Sequence, residues 1–588
     1  MFFLSKIQKP RHWPSRNKHA VLECTSVLEC TARSFPTRTL SNPPHGDIMP
    51  PSLVGALDQG TTSTRFILYR IESAAGAKLT AVASHQMEHK QIFPQPGWCE
   101  HDPEEIVANA QECMSSALAK VPGGGTAADV ACVGITNQRE TVVAWDAESG
   151  KPLHNAIVWL DTRTSQICSN LERNLCGKDD GSVGGKDAFR ETCGLPISTY
   201  FAGTKMLWLL EHCAAVKAAA ETGALRMGTV ETWLMYRLTA GARFVTDCTN
   251  ASRTLLMDLR TLAWDAKASA DLGVPLRFLP EIVSCAEPEA FGTIAAGALA
   301  GVRLTAALGD QHAATLGQRC APGEAKNTYG TGCFALLNTG PGKPVPSTRG
   351  LLSTVCWRLG SDAETSYALE GSVAIAGAGV QWLRDNMGII SSASEIERKA
   401  RSVPDAGGVV FVPAFSGLFA PRWRADARGV IVGLTQHSTA AHVCRALLDA
   451  VSFQTADVLA AMRADADDAA RAAGEVSARP LRRLRVDGGA SANGLLMQIQ
   501  ADALGLPVSR PANVETTAAG AALAAGVGAG LWREEDVFAD GADAEVGSRN
   551  SENAEVSSAL FQPTTDAATR EARYAKWADA VERSLGLA

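Results

Sequence analysis

Short apolar runs and longer amphipathic stretches alternate along most of this chain of 588 residues. Leu53-Val54-Gly55-Ala56-Leu57 has no polar position, the pattern of a strand buried on both faces. It runs into Asp58-Gln59-Gly60-Thr61-Thr62-Ser63-Thr64-Arg65, and a second strand follows from Phe66 to Ile71. The same grammar returns when Lys326-Asn327-Thr328-Tyr329-Gly330-Thr331-Gly332 leads into Cys333-Phe334-Ala335-Leu336-Leu337. Each is a strand, a Gly/Thr turn and another strand, so two domains of similar build are expected, able to grip one ligand from both sides. Further strands are read at Ala131 to Thr136, Leu304 to Leu308, Val409 to Pro413 and Leu484 to Asp487. Helices are read at Glu104 to Lys120 and Arg445 to Met462. This alternation is that of an α/β protein.

Three stretches depart from the pattern. Residues 1–50 hold seven Lys/Arg, three Asp/Glu and many Ser, Thr and Pro. They read as a disordered extension, a start upstream of the true one at Met49, or an organelle transit peptide. Residues 539–560 carry five acids and one Arg and read as an exposed loop. Ala518 to Trp532 is low in polarity but interrupted by Gly520, Gly526, Gly528 and Gly530, and is shorter than the roughly 20 residues of a membrane span. After Pro563, Tyr574, Trp577, Ala578, Val581 and Leu585 form one stripe of a terminal helix that packs on the body.

Composition narrows the function. With 46 % hydrophobic and 20 % charged residues the chain builds large cores. A net charge of −7 disfavours a nucleic-acid-binding surface. The 15 cysteines are scattered singly, without a CxxC pair, as in a reducing compartment rather than in a zinc site or disulfide framework. The cytoplasm is therefore expected, or a mitochondrion or plastid if the first 50 residues are a transit peptide.

Four polar clusters carry chemistry. In Asp58 to Arg65, a glycine followed by hydroxyls lets backbone and side-chain donors approach a phosphate, and the Asp offers a carboxylate to Mg²⁺. An ordinary hairpin turn would use the same residues. Asn137-Gln138-Arg139-Glu140 follows a strand, and its Arg and Glu match the donors and acceptors of a polyol. A surface ion pair is the plainer account. In Gly309-Asp310-Gln311-His312, Asp310 at a strand's end suits a base toward a substrate hydroxyl, with His312 as an alternative or as a structural histidine. Val486-Asp487-Gly488-Gly489 to Asn493 would let backbone pass close to a flat base, or is a plain strand-to-helix turn. Neither a Walker A loop nor G-x-G-x-x-G after a strand is present.

Taken in order, these clusters resemble the FGGY carbohydrate kinases, of the actin/hexokinase/Hsp70 fold group. Trp98 to Pro103, Tyr200 to Lys205, Val245 to Arg253 and Glu370-Gly371 extend the resemblance, which runs from about residue 53 to 585. It implies two actin-like, ribonuclease H-like ATPase domains, residues 51–318 and 319–588, with the active site in the cleft between them. The Arg139-Glu140 pair resembles the members that phosphorylate glycerol with ATP rather than those acting on pentuloses. A pentulose kinase, or a non-catalytic ATP-binding scaffold on the same fold, is the alternative. The resemblance places Thr61, Thr62, Ser63 and Arg65 in a first phosphate loop and Thr331 in a second, with Gly377, Gln381, Gly489 and Asn493 around the adenine nucleotide. Arg139, Glu140, Tyr200, Asp310 and Gln311 match the glycerol-binding set, with Asp310 as base, and Trp159 and Phe334 match its apolar walls. Mg²⁺ is expected near Asp58 and Asp310, and a homodimer or homotetramer is implied. Gly292 to Arg303 lacks the Gly-rich, Arg-bearing loop for fructose-1,6-bisphosphate of bacterial members.

Overall fold

A computed structural model describes residues 51–73, 76–176, 184–513, 515–539 and 558–588. The N-terminal extension and nearly all of the expected acidic loop lie outside the described residues. Strands β1 (Leu53–Gln59), β2 (Ser63–Ser73), β3 (Lys78–Glu88), β4 (Val130–Asn137) and β5 (Leu304–Gly309) form one sheet in the order β5-β4-β1-β2-β3. The first three form an antiparallel meander, while β4 runs parallel to β1 and β5 parallel to β4. The period-2 pattern of β1 explains its burial. Leu53 and Leu57 join the core shared with α1 (Pro103–Ala119), whereas Val54 and Ala56 join the core on the opposite face. Helix α1 starts where Asp102 accepts from Glu104 N at 2.9 Å and Pro103 takes the first helical position.

Helix α2 (Asp310–Gly317) leads into a second sheet of β6 (Ala325–Tyr329), β7 (Cys333–Pro341), β8 (Leu352–Trp357), β9 (Ser366–Val373), β10 (Leu484–Asp487), β11 (Val508–Arg510) and β12 (Ala559–Phe561). Its order is β8-β9-β7-β6-β10-β11-β12. The run β9-β7-β6-β10-β11 repeats the first sheet: two antiparallel pairs and then two parallel ones. The equivalence expected from the two Gly/Thr turns is thus present in strand order and direction. A smaller four-stranded sheet, built from Glu100–His101, Val142–Asp146, Ala156–Ile157 and Leu225–Thr229, flanks the first.

The second lobe's longer helices are α3 (Gly377–Asp385), α4 (Ala440–Ala472), α5 (Gly494–Leu504), α6 (Thr516–Gly528) and α7 (Ala567–Arg583). Helix α4 is much longer than the apolar stretch from Arg445 to Met462 predicts, because its last turns are held by polar contacts such as Ser347 Oγ to Asp465 Oδ2 at 2.6 Å. Helix α6 departs from its sequence reading. Gly520, Gly526 and Gly528 lie within it and Gly530 just beyond its end, and Gly520 and Gly528 serve close backbone approach. A Cβ on Gly520 would lie 1.8 Å from Ala313 O of α2, and one on Gly317 would lie 1.9 Å from Thr516 O. Helix α6 also covers the first sheet, where Thr305 Oγ1 donates to Ala525 O at 2.8 Å and a Cβ on Gly134 would meet Ala521 O at 2.2 Å. Tertiary packing outweighs the cost of about 1 kcal/mol per helical glycine. No helix of the described residues is long and apolar enough to cross a membrane. Helix α7 packs on the body as expected, with Trp577 stacked on Phe453 at 6.0 Å, but Ala580 rather than Ala578 is its buried alanine.

Candidate active site

The two Gly/Thr turns lie at equivalent ends of the two sheets. The first joins β1 to β2 and closes when Gly60 N donates to Ser63 O at 2.9 Å. It is braced from behind. His89 Nε2 and Gln91 Nε2 reach Thr61 O at 2.9 and 3.0 Å, and Gln138 Nε2 donates to Gly60 O at 3.1 Å. Trp159 Nε1 donates to Thr61 Oγ1 at 2.9 Å, while Thr62 at the tip is exposed. Gln86 Nε2 donates to Ser63 Oγ at 2.8 Å. Arg65, paired across the strands with Asp58, donates to Gln86 Oε1 and forms an ion pair with Glu515 at the start of α6. The second turn joins β6 to β7. Gly377 N and Ala378 N donate to Gly330 O and Thr331 O, both at 3.0 Å, so the start of α3 clamps it and Thr331 stays exposed.

Thr331, Gly377, Gln381, Gly489 and Asn493 come from three separate segments and line one cavity of about 440 Å³, together with Val380, Ile396 and Leu496. A Cβ on Gly489 would meet nothing within 4 Å, so this glycine leaves open space. Gly488, at φ +82°, brings the chain within 2.6 Å of Tyr329 O at the Cβ position, which only glycine permits. Asn493 caps α5, its Oδ1 accepting from Leu496 N at 3.0 Å, which leaves its amide nitrogen for a ligand.

Deeper between the lobes lies a charge cluster. Arg139 donates from Nη1 to Glu370 Oε2 at 2.6 Å and from Nη2 to Glu370 Oε1 at 2.8 Å. Its Nη2 reaches Tyr200 Oη at 3.3 Å, and its Nε lies 3.3 Å from Asp310 Oδ1 and 3.7 Å from Glu140 Oε1. Arg253 Nε donates to Glu140 Oε1 at 2.7 Å and its Nη2 to Glu370 Oε1 at 3.2 Å. Two guanidiniums and three carboxylates therefore share one site. Four of the five are buried; Asp310, 28 % exposed, is the member that opens to the cleft. Burial raises the Asp310 carboxyl and Arg139 opposes the rise. Burial would also raise Glu370, but Arg139 and Arg253 outweigh it and hold the carboxyl well below the usual range. Asp58 is pushed up to about 7 by burial, and the charge of Asp310 adds to the rise against Arg65. Trp159 forms edge contacts to Tyr200 at 5.6 Å and to Phe334 at 5.9 Å, an aromatic wall beside Arg139.

The structure thus brings Arg139, Glu140, Tyr200 and Asp310 together beside the aromatic wall of Trp159, and the five positions expected around a nucleotide together in the cavity. The other half of the polyol motif does not face the site. Asn137 Nδ2 donates to Glu231 Oε2 at 3.0 Å, and Gln138 braces the first turn. Asp310 opens α2 rather than ending β5. His312 is buried, its Nε2 is 3.4 Å from Thr354 Oγ1, and burial holds the ring neutral. Sequence reasoning gave no role to Glu370, Arg253 or Lys326. Their signal was a charge inside an otherwise buried run, as in Tyr367-Ala368-Leu369-Glu370. Lys205 belongs with them: its ammonium donates to Thr199 O at 2.8 Å and Tyr200 O at 2.6 Å, holding the backbone that carries Tyr200, and burial lowers it to about 7.

Comparison with known proteins gives a consistent picture. Residues 53–317 match the N-terminal domain of the FGGY family of carbohydrate kinases and residues 325–529 match its C-terminal domain. A glycerol kinase of Arabidopsis thaliana is 49 % identical over 544 residues, covering 91 % of this chain and 98 % of the relative. One of Nocardia farcinica is 51 % identical over 533 residues, covering 90 % and 98 %. Among solved structures, Plasmodium falciparum glycerol kinase with ADP has a TM-score of 0.78 at 36 % identity, covering 91 % of this chain and 98 % of that one. A ligand-bound xylulose kinase from Lactobacillus acidophilus has a TM-score of 0.72 at 19 % identity, covering 90 % and 98 %, a likeness of fold alone.

Proposed function

The chain belongs to the FGGY family of carbohydrate kinases, and on that premise we propose that it transfers the γ-phosphoryl group of ATP to a terminal hydroxyl of glycerol. The products are sn-glycerol 3-phosphate and ADP. The observation that carries this reading is the convergence of Arg139, Glu140, Tyr200 and Asp310 beside the wall of Trp159 and Phe334, between two phosphate-sized turns.

Each group then has a task. Arg139 and Glu140 donate to and accept from the polyol hydroxyls, and the aromatic wall takes the carbon face. A polyol lacking one hydroxyl would forfeit a hydrogen bond to one of these buried charged groups, at a cost of about 1–3 kcal/mol. Asp310, the carboxylate open to the cleft, accepts the hydroxyl proton as the bond to phosphorus forms. Thr61, Thr62, Ser63 and Arg65 hold the phosphates from the first lobe and Thr331 holds them from the second. Gly377, Gln381, Gly489 and Asn493 enclose the nucleoside end. The lobes divide near residue 318, and their closure excludes water, a competing nucleophile.

Asp58 and Asp310 fit Mg²⁺: they are hard oxygen donors, and Asp58, raised chiefly by burial and further by the charge of Asp310, is a carboxyl whose ionised form a divalent cation would favour. Bound there, Mg²⁺ would neutralise developing charge on the phosphate oxygens.

The test is coupled ADP release by the full chain with Mg-ATP and glycerol, dihydroxyacetone, glyceraldehyde, xylulose, ribulose or no acceptor. Strong preference for glycerol is expected. Turnover with a pentulose alone, or ATP binding without turnover on any acceptor, would overturn the reading.

A further inference from the structure

Lys326 is a fully buried ammonium in the first strand of the second lobe, two residues upstream of Thr328 and close to the second Gly/Thr turn. Alternation along β6 sends Asn327 and Tyr329 to the far side of the sheet, where Asn327 Nδ2 reaches Thr455 Oγ1 at 3.4 Å and Tyr329 Oη donates to Gln500 Oε1 at 2.7 Å. Lys326 and Thr328 share the other face, turned to α2. There Nζ donates to Thr328 Oγ1 at 2.7 Å and to Gln311 Oε1. Both acceptors are neutral.

The consequence lies in what an ammonium can do. It only donates, so it pairs with the carbonyl end of the Gln311 amide and never with the amino end. The rest of Gln311 is fixed as well. Its backbone N donates to Asp310 Oδ1 at 2.7 Å, and its backbone carbonyl accepts from Thr315 Oγ1 at 2.7 Å. With the carbonyl oxygen turned to Lys326, the other end of the amide is Nε2, a pure donor, on the residue next to Asp310, the one carboxylate of the cluster that opens to the cleft.

We propose that Lys326 is a positioning residue, supplied by the second lobe, that locks the Gln311 amide with its N–H donors toward the polyol. Asp310 and Gln311 then form a matched acceptor and donor at neighbouring positions. Lys326 stands on the strand that leads into the nucleotide-side turn, so the polyol side keeps its donor only while the two lobes are in register. This inference rests on the reading of Gln311 as a glycerol contact.

A double-mutant cycle separates the two readings. Wild type, Gln311→Ala, Lys326→Met and the double variant are compared in kcat/KM for glycerol and in KM for ATP. Lys326→Met is expected to lower kcat/KM for glycerol about tenfold with KM for ATP nearly unchanged, and the double variant to lose no more than Gln311→Ala alone. Losses that multiply, or a KM for ATP that rises with that for glycerol, overturn the lock. Lys326→Arg, which keeps a buried donor, should recover part of the loss, and recovery no better than Met overturns it too. Gln311→Glu keeps the inference testable if Lys326→Met does not fold. An ion pair with Lys326 should raise the melting temperature while the lost donor lowers kcat/KM for glycerol; a fall in melting temperature, or an unchanged kcat/KM, overturns the lock. If Gln311→Ala leaves glycerol kinetics unchanged, the reading of Gln311 as a contact fails first and the lock falls with it.

Discussion

Arg139, at the end of a strand of the first sheet, forks onto Glu370, in the third antiparallel strand of the second sheet and 231 positions away in sequence, with bonds of 2.6 and 2.8 Å. The residue proposed to orient the polyol is thus itself oriented by the opposite lobe. A guanidinium has many rotamers, and a fork to a buried carboxylate leaves it one.

Glu370→Gln should therefore raise KM for glycerol and destabilise the fold, by about 3–5 kcal/mol on typical scales for breaking a buried pair. The effect has a pH signature. The folded carboxyl is held below its ordinary value of 4.5, so its contribution is fully present above about pH 4.5 and fades as pH falls further. Urea midpoints of wild type and variant should differ by a constant amount between pH 6 and 8 and converge below about pH 4.5. A gap that stays constant into the acid range would mean the ion pair is not what Glu370 contributes.

Asp310→Asn should abolish turnover while leaving glycerol binding measurable by calorimetry, because an amide cannot accept the hydroxyl proton. Retention of about a tenth or more of kcat would remove Asp310 as the base.

Arg139→Ala should raise KM for glycerol far more than KM for ATP, by about a hundredfold or more if a buried charged contact is lost. Steady-state kinetics with each substrate varied in turn reads this directly, and an unchanged KM for glycerol would place the side chain outside the site.

Two glycines should fail in different ways. Gly520→Val forces apart the crossing of α2 and α6, where even a Cβ would lie 1.8 Å from Ala313 O, and should lower the melting temperature sharply. Gly489→Val projects into the open cavity and should leave the melting temperature near wild type while raising KM for ATP. Thermal melts and kinetics on the same two proteins check both, and a Gly489→Val protein with normal KM for ATP would place the nucleotide elsewhere.

Much of this was legible in the sequence because it depends on local pattern. The apolar run before Asp58 and the Gly/Thr turns give strand, turn and strand without reference to the rest of the chain. The gathering of Thr331, Gln381, Gly489 and Asn493 was legible only through the resemblance. What pattern misses is partnership across the chain. Glu370 looks like a blemish in a buried strand until Arg139 is placed against it, and Lys326 until Gln311 is. Gly520 of α6 reads as a break because its reason, the backbone of α2, is about 200 residues away.

The crossing of α2 and α6 also bears on how such a protein is put together. The helix that follows the first sheet leans on the second, and a helix from near the end of the chain roofs the first. Each half lends the other a wall. The two halves repeat one another in strand order, yet neither could be shuffled singly into another protein, because either one alone would open a seam of Val, Ala and Leu side chains to water.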